Sequence, residues 1–201
     1  VVCKGVMTSS GTTSKRVAER FGFEFCTADE SDIFGSDEIN TVFIATRHDS
    51  HAAYVKKGLR AGKNVFVEKP LCLSAAELEQ IEEVLVDKGA SSLLMLGYNR
   101  RFAPLAVKLK EKMGDGAMSM IYRINAGAIP PESWIQDPEI GGGRIVGEVC
   151  HFVDFLTFLC GALPVRVYAA ALPDPGNLQD VVNVNLEFAN GSIGTISYFA
   201  N

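Results

Sequence analysis

Hydrophobic positions in the first half of the chain predict short buried strands that alternate with helices. The strand candidates are nearly continuous apolar runs, as expected for strands covered on both faces, and they lie at residues 1–7, 41–46, 64–67 and 93–97. Helical periodicity with punctuating residues predicts helices at residues 14–21 and 50–61 and a third helix that begins at Ser74. Repeated strand–helix–strand order implies right-handed crossovers, so this half is predicted to be a doubly wound parallel α/β domain.

The second half has a different pattern, in which several strands follow one another with few helices between them. The strand candidates are residues 118–128, 165–172, 180–188 and 192–199, and Asn190-Gly191 between the last two is a strong hairpin signal. One helix is predicted at residues 145–160. The pattern therefore predicts an α+β domain with a largely antiparallel open sheet. We place the first domain at residues 1–98 and the second at residues 99–201.

The first strand and helix are not joined by the glycine-rich G-x-G-x-x-G loop that holds the pyrophosphate of a dinucleotide. Gly141-Gly142-Gly143 follows no apolar strand and is a poor substitute. If the first strand of the chain is the second strand of the doubly wound sheet, the missing strand and loop belong upstream of residue 1. We also expect the sheet of the second domain to be incomplete at its C-terminal end.

Composition and charge exclude several classes of function. The net charge is −5 with no basic patch, which argues against binding to nucleic acid. The longest apolar stretches are too short to cross a bilayer, and the N-terminus does not resemble a signal peptide, so a cytoplasmic location is expected. The five cysteines are scattered and form no C-x-x-C pair. They are predicted to be buried and reduced, without a metal or disulfide framework.

Two strand ends carry polar residues that could contact a cofactor. Glu68-Lys69-Pro70 follows a buried strand, at the edge where open α/β sheets bind ligands, although, taken alone, the motif favours a solvated strand end. After the first strand, Thr8 and Ser9 stand where an acidic residue would bind the adenosine ribose, and Lys15 and Arg16 are nearby. This favours NADP over NAD, because a 2′-phosphate meets no carboxylate there. A polar turn that caps the next helix is the alternative.

The helix at residues 145–160 carries Glu148, His151 and Asp154 at spacings of three, so these side chains share one face. A histidine flanked by carboxylates is a plausible acid–base unit, although a single histidine on an apolar helix is often only a satisfied polar group. Weaker candidates for substrate contacts lie elsewhere in the second half. They are Asn99 and Arg100, which could reach anionic groups, and Trp134, which could stack on a sugar or pack in the core.

These motifs together resemble the glucose–fructose oxidoreductase/inositol dehydrogenase (Gfo/Idh/MocA) family. The resemblance rests on Ile44-Ala45-Thr46, His51, the run from Ala61-Gly62-Lys63 to Glu68-Lys69-Pro70, Gly97-Tyr98-Asn99-Arg100-Arg101, Gly141-Gly142-Gly143 and His151-x-x-Asp154. It extends over essentially the whole chain. The variants Arg47-His48-Asp49 and Gly147-Glu148-Val149-Cys150-His151 resemble the C-terminal module of bi-domain oxidoreductases, which follows an alcohol-dehydrogenase-like region.

The resemblance implies hydride transfer between a nicotinamide cofactor and a hydroxyl or keto carbon of a sugar, polyol or sugar derivative. It implies catalytic roles for Lys69 and His151, with Glu148 assisting, and a homo-oligomer formed through the second-domain sheet. The implied cofactor contacts are Thr8, Ser9, Ala45, Thr46, Arg47, His51, Glu68 and Lys69. The implied substrate contacts are Asn99, Arg100, Trp134 and Asp154.

One departure from the family pattern leaves two functions open. Many members carry an aspartate four residues before the histidine, where this chain has Gly147. Either Glu148 takes over the orienting role, or the usual proton relay is lost. In the second case the chain is a non-catalytic regulatory or structural module that binds a dinucleotide.

Overall fold

The computed structural model describes residues 1–88, 92–173 and 180–200, and the chain divides into two compact units. Unit 1 comprises Val1–Thr46 and Ser50–Leu96. Unit 2 comprises Gly97–Asn201 together with Arg47–Asp49. These three residues therefore pack with unit 2, although in sequence they connect a strand and a helix of unit 1.

Unit 1 contains parallel strands in two sheets. Its strands are β1 (Gly5–Met7), β2 (Phe25–Thr27), β3 (Thr41–Ile44), β4 (Asn64–Val67) and β5 (Leu94–Leu96). β1 pairs with β2, and the second sheet has the order β3-β4-β5, with every pair parallel. The parallel α/β architecture is confirmed, but as two sheets rather than one.

The helices of unit 1 are α1 (Gly11–Phe21), α2 (Ser31–Phe34), α3 (His51–Arg60) and α4 (Ala75–Lys88). The α4 start is fixed by a side-chain cap, since the Glu77 N–H donates to Ser74 Oγ at 3.2 Å. The Glu77 carboxylate in turn accepts the Leu73 N–H at 2.8 Å, which satisfies a second backbone donor. The buried core of the unit is built from β3, β4, α3 and α4, and it includes Ile44, Val55, Leu59, Val65, Val67 and Ile81.

Unit 2 is built on a four-stranded sheet in the order β6-β9-β8-β7. The strands are β6 (Ser119–Asn125), β7 (Pro164–Ala171), β8 (Val182–Phe188) and β9 (Ile193–Phe199). Only the β6–β9 pair is parallel, so the largely antiparallel sheet is confirmed. The predicted Asn190-Gly191 turn joins β8 to β9, with Gly191 at a φ of 84°, a left-handed conformation that glycine adopts at little cost.

Helix α6 (Cys150–Cys160) packs on one face of this sheet. Phe152 and Leu156 on the helix are buried with Leu186 and Ile196 of the sheet, and burial of each such side chain stabilises the fold by about 1.5–3 kcal/mol. A Cβ atom at Gly194 would lie 2.8 Å from Leu156 Cδ1. The helix therefore approaches β9 closely because this position has no side chain.

The predicted helix at residues 145–160 begins with a π-helical turn at Ile145–Val149, followed by α6. Such wide turns are rare and often occur at functional sites. Gly161 ends α6 with a φ of 70°, and Lys110 Nζ of helix α5 (Pro104–Lys112) donates to the Leu159 carbonyl oxygen at 2.8 Å. The cation stabilises the C-terminal end of α6.

Some elements were not predicted. Strand β2 has only three residues and its Phe25 and Cys26 are exposed, so it gives no buried apolar run. In α5 the apolar residues Leu105, Val107 and Leu109 are spaced by two and exposed. The sequence therefore lacks the apolar spacing of about 3.6 residues that predicts a helix.

The cysteine prediction is wrong in part. All five thiols are free, but Cys3 and Cys26 are exposed rather than buried. Within the described part of the chain, no group of three or more histidine, cysteine or acidic side chains is arranged to hold a metal ion. Among the described helices, none combines the length and apolar character that a membrane span requires.

Candidate functional site

In unit 1, the loops that follow β3 and β4 leave the sheet at the same edge. The parallel register pairs Ile44 with Val67, and the Glu68 N–H donates to the Ile44 carbonyl oxygen at 2.9 Å. Ala45 and Thr46 are exposed, and Glu68 and Lys69 are half-buried. This is the carboxyl edge where open α/β sheets bind ligands.

The His51 side chain connects these two loops. It is fully buried, with Nδ1 at 2.7 Å from the Pro70 carbonyl oxygen and Nε2 at 3.1 Å from the Thr46 carbonyl oxygen. Both acceptors are backbone groups of the loops themselves. His51 therefore positions both loops, and its direct contact with a cofactor stays a prediction.

The turn after β1 is closed by hydroxyl groups. Thr8 Oγ1 donates to the Ser10 carbonyl oxygen at 2.8 Å, and the Thr8 N–H donates to Ser14 Oγ at 3.0 Å. Ser14 is fully buried and donates to the Thr27 carbonyl oxygen at 2.9 Å, which ties the turn to β2. Ser9 at the tip is exposed. The polar-turn interpretation thus holds for Thr8, and Ser9 remains available to a ligand.

The unit 1 residues fit a dinucleotide. The turn after β1 contains hydroxyls and no carboxylate, so the negative charge of a phosphorylated ribose meets no repulsion there. The exposed backbone at Ala45 and Thr46 and the half-buried Lys69 offer hydrogen-bonding groups at the carboxyl edge of β3 and β4. Ser9, Ala45, Thr46 and Lys69 are the residues that could hold NAD or NADP.

In unit 2, His151 lies on the first turn of α6 and is buried. The Tyr98 ring lies edge-on to it, with ring centroids 6.1 Å apart. Tyr98 follows β5 directly and was not predicted as a site residue. A buried imidazole beside a phenol ring has a restricted orientation, as an acid–base group requires.

Asp154, one turn after His151, is bound by Arg101. Arg101 Nε donates to Asp154 Oδ2 at 3.0 Å and its Nη2 donates to the other carboxylate oxygen. These hydrogen bonds raise the pKa of the Arg101 guanidinium. Asp154 is 8% exposed, and its contact in the structure is with Arg101; a substrate contact at Asp154 stays a prediction.

A pocket of about 290 Å³ opens in unit 2 beside the π-helical turn. It brings together two predicted residues, Arg100 and Glu148, and its volume is near the lower end of the range of about 300–1,000 Å³ for small-molecule sites. The Arg100 guanidinium lies over the Phe152 ring, 4.7 Å from its centroid. The other lining residues are Ile124, Ala126, Ile129, Ile135, Arg144 and Tyr198.

Two of these lining residues form a polar wall that the sequence analysis missed. Arg144 is buried, its Nη1 donates to the Gly127 carbonyl oxygen at 2.6 Å, and its guanidinium lies over the Tyr198 ring. Burial raises the pKa of the Tyr198 hydroxyl. No local motif distinguishes Arg144 from a surface arginine.

Trp134 packs against the segment Arg47–Asp49 and does not line the pocket. Its ring lies edge-on to His48, with centroids 4.8 Å apart, and the Arg47 guanidinium lies 5.7 Å from its ring centroid. The Asp49 N–H donates to the Ile140 carbonyl oxygen at 3.0 Å. These contacts are those of the packing alternative for Trp134, and sugar stacking stays a prediction.

The remaining predicted contact, Asn99, lies in an exposed 3-10 turn, and its N–H donates to the Gly97 carbonyl oxygen at 2.9 Å. It does not line the pocket. His48 and His51, three residues apart in sequence, belong to different units and bond to different backbone carbonyls.

The doubly wound α/β fold of unit 1 places the chain in the class of dinucleotide-binding folds. Comparison with known families gives two matches, the NAD-binding Rossmann fold of the Gfo/Idh/MocA oxidoreductase family at residues 2–98 and the Gfo/Idh/MocA C-terminal domain at residues 112–201. The chain belongs to the Gfo/Idh/MocA family. It contains both domains of the family, so it is not only a C-terminal module.

Individual relatives agree with this assignment. The chain is 31% identical to inositol 2-dehydrogenase of Rhizobium meliloti strain 1021, covering 92% of this chain and 57% of the relative. It is 26% identical to levoglucosan dehydrogenase of Pseudarthrobacter phenanthrenivorans, covering 100% and 59%. A structure of levoglucosan dehydrogenase in complex with NADH and levoglucosan superposes with a TM-score of 0.85 at 27% identity, covering 100% of this chain and 58% of the other. The chain thus spans less than two thirds of the length of these relatives.

The Arg101–Asp154 pair should contribute more to stability than an exposed ion pair of the same unit. Replacing Arg101 by methionine leaves a buried carboxylate without its cation, and we expect the free energy of unfolding to fall by about 2–3 kcal/mol. Arg166→Met is the matched control, since Arg166 and Glu187 form a pair that is 75% and 51% exposed and such pairs contribute about 0–1 kcal/mol. Urea denaturation followed by circular dichroism measures both, and equal losses would contradict the assignment.

Proposed function

We propose that the protein is an NAD(P)-dependent oxidoreductase that transfers a hydride between the nicotinamide and a hydroxyl or keto carbon of a sugar, polyol or sugar derivative. One observation carries the proposal. This member of the family has both a lysine at the carboxyl edge of β4 and a buried histidine on the first turn of α6. The names of its relatives, inositol and levoglucosan dehydrogenases, support a polyol or anhydrosugar as the substrate.

In this proposal, His151 accepts the proton of the substrate hydroxyl as the carbonyl forms, and it returns the proton in the reverse direction. The role that the family resemblance implies for Lys69 is to stabilise negative charge that develops on the reacting oxygen of the substrate. Glu148, on the π-helical turn before α6, orients the substrate from the pocket wall. The bound nicotinamide supplies the hydride acceptor or donor.

The unit 2 pocket suits a small polar ring. Its wall combines the apolar faces of Phe152 and Ile135 with the guanidinium of Arg100 and the carboxylate of Glu148. Apolar surface can cover a sugar ring, while the charged groups can hydrogen-bond its hydroxyls. We propose that the non-reacting hydroxyls of the substrate are held here.

Loss of either catalytic side chain should reduce turnover, and loss of the His151 imidazole should do so without loss of cofactor binding. We expect His151→Asn and Lys69→Met each to lower kcat by about 10²–10⁴-fold in the full-length protein. The assay follows NADH or NADPH absorbance with a panel of inositols, monosaccharides and anhydrosugars. Lys108→Met, which removes an exposed lysine on α5, serves as the control and should retain wild-type turnover.

Wild-type rates in both catalytic variants would refute these roles. If the unmodified protein binds NADH or NADPH but oxidises or reduces no member of the panel, the non-catalytic dinucleotide-binding module becomes the better description.

We propose that NADP is preferred over NAD. The exposed Ser9, the nearby cations Lys15 and Arg16, and the absence of an acid from the first turn of α1 support this choice. A 2′-phosphate would gain charge-assisted hydrogen bonds from such groups, whereas a carboxylate at the same place would repel it.

Ser9→Asp should reverse the preference. The added carboxylate repels the 2′-phosphate but can accept hydrogen bonds from free ribose hydroxyls, so we expect the Kd for NADPH to rise about tenfold or more, with that for NADH unchanged or lower. Nicotinamide fluorescence titration measures both constants. Leu105→Asp places the same charge at an exposed position of unit 2 outside the sheet and should change neither. Equal affinity of the unmodified protein for both cofactors would contradict the proposed preference.

We further propose a homo-oligomer formed through the open face of the unit 2 sheet. One row across that face joins Ile121, Thr195, Asn185 and Tyr168 on four neighbouring strands. Ile121 is 81% and Tyr168 is 69% exposed, and exposed apolar side chains on a flat sheet face favour association. The free thiols fit a reducing cytoplasm as the place of action.

Ile121→Glu should dissociate this oligomer, because a charge in an apolar contact is costly to bury. Sedimentation velocity should show a smaller particle at the same protein concentration. Leu105→Glu is the matched control, since Leu105 on α5 is equally exposed at 81% but lies outside the sheet. A monomeric wild-type protein, or equal effects of both substitutions, would contradict the proposal.

A further inference from the structure

The buried histidine of the segment Arg47–Asp49 is held in unit 2 by specific contacts. His48 Nδ1 lies 2.8 Å from the Gly141 carbonyl oxygen, and its ring packs edge-on against Trp134. Only 7% of the residue is exposed. The imidazole therefore has one position and one orientation in this loop.

The same ring explains why position 147 has no side chain. A Cβ atom built on Gly147 would lie 3.1 Å from His48 Cε1 and 3.5 Å from its Nδ1, so a side chain at this position requires the imidazole to shift by a few tenths of an ångström. The backbone of Gly147 does not adopt a positive φ, and no turn requires glycine there. Glycine inside a helix lowers its stability by about 1 kcal/mol relative to alanine. At position 147 the missing side chain leaves the space that the His48 imidazole fills.

The position of the ring relates it to His151. Gly147 precedes His151 by four residues, about one helical turn, so His48 occupies side-chain space on the helix face that carries His151. The Gly141 carbonyl can only accept a hydrogen bond, which places a proton on Nδ1. In the neutral ring the lone pair is then on Nε2, and this nitrogen can accept a hydrogen bond.

We propose that His48 is a positioning residue for the reaction assigned to His151. Its imidazole takes the place of a side chain at position 147 and, directly or through one water, accepts a hydrogen bond from His151. This contact orients the His151 ring and stabilises the imidazolium that forms when His151 accepts the substrate proton. The inference rests on the proposed oxidoreductase function, and it resolves the choice left by the sequence, since the partner of His151 comes from the loop after β3.

The first test separates catalysis from folding. His48→Asn keeps an amide that can donate to the Gly141 carbonyl, and we expect kcat to fall about 10- to 100-fold while the KM for the best polyol and the affinity for cofactor stay near wild type. Such a split indicates an interaction used only in the transition state. Wild-type kcat in this variant overturns the proposal.

The second test exchanges the two positions. His48→Ala combined with Gly147→Asp puts a short carboxylate into the vacated space, and we expect it to recover most of the turnover lost in His48→Ala. Gly147→Asp alone should be impaired, because the new side chain requires the ring to shift. Loss of activity in His48→Asn without recovery in the double variant means that His48 only packs the loop, and this overturns the proposal.

The third test is independent of turnover. The sequence contains three histidines, so ¹⁵N-histidine NMR spectra of the full-length protein are simple to assign. His48→Asn should change the Nδ1 and Nε2 resonances of His151 and leave those of His51 unchanged, since His51 is bonded to Thr46 and Pro70 in unit 1. If no polyol is turned over, the proposed function fails, and these spectra still decide the coupling. Unchanged His151 resonances overturn it.

Discussion

Helix α6 must bury an apolar face and at the same time carry polar side chains, and this constraint organises the rest of unit 2. Phe152 and Leu156 are buried with the sheet, while His151 and Asp154 of the same helix are also nearly inaccessible to solvent. A buried polar group is costly without a partner. Each partner is therefore supplied by another element.

The residues that contact the polar side chains of α6 come from distant parts of the sequence. The turn after β5 provides Arg101 for Asp154 and Tyr98 for His151. The loop after β3 provides His48, which fills the space beside Gly147. The site face of α6 is therefore ordered by residues that precede it by about 50 to 100 positions, and its chemistry cannot be changed without affecting the packing.

The sequence predicted those features that depend on local patterns. Alternating positions in β8 and the turn at Asn190-Gly191 specify the hairpin, and the strand before Glu68-Lys69 specifies the carboxyl edge of the unit 1 sheet. Two candidate site residues, Arg100 and Glu148, line one pocket. These signals lie within a few residues of the feature that they predict.

The remaining features depend on tertiary contacts. The sequence predicts the Asp154 carboxylate as a substrate contact and does not show that Arg101 binds both of its oxygens. The glycine at position 147 suggested a lost function because the imidazole that fills its space lies 99 positions earlier in the chain. Trp134, a predicted sugar-stacking residue, packs on that imidazole.

The contact between Trp134 and His48 has a practical consequence. Trp134 is the only tryptophan in the sequence, and its ring centroid is 4.8 Å from that of the buried imidazole. The tryptophan emission of this chain therefore originates beside His48. It is an optical probe of that contact that needs no label.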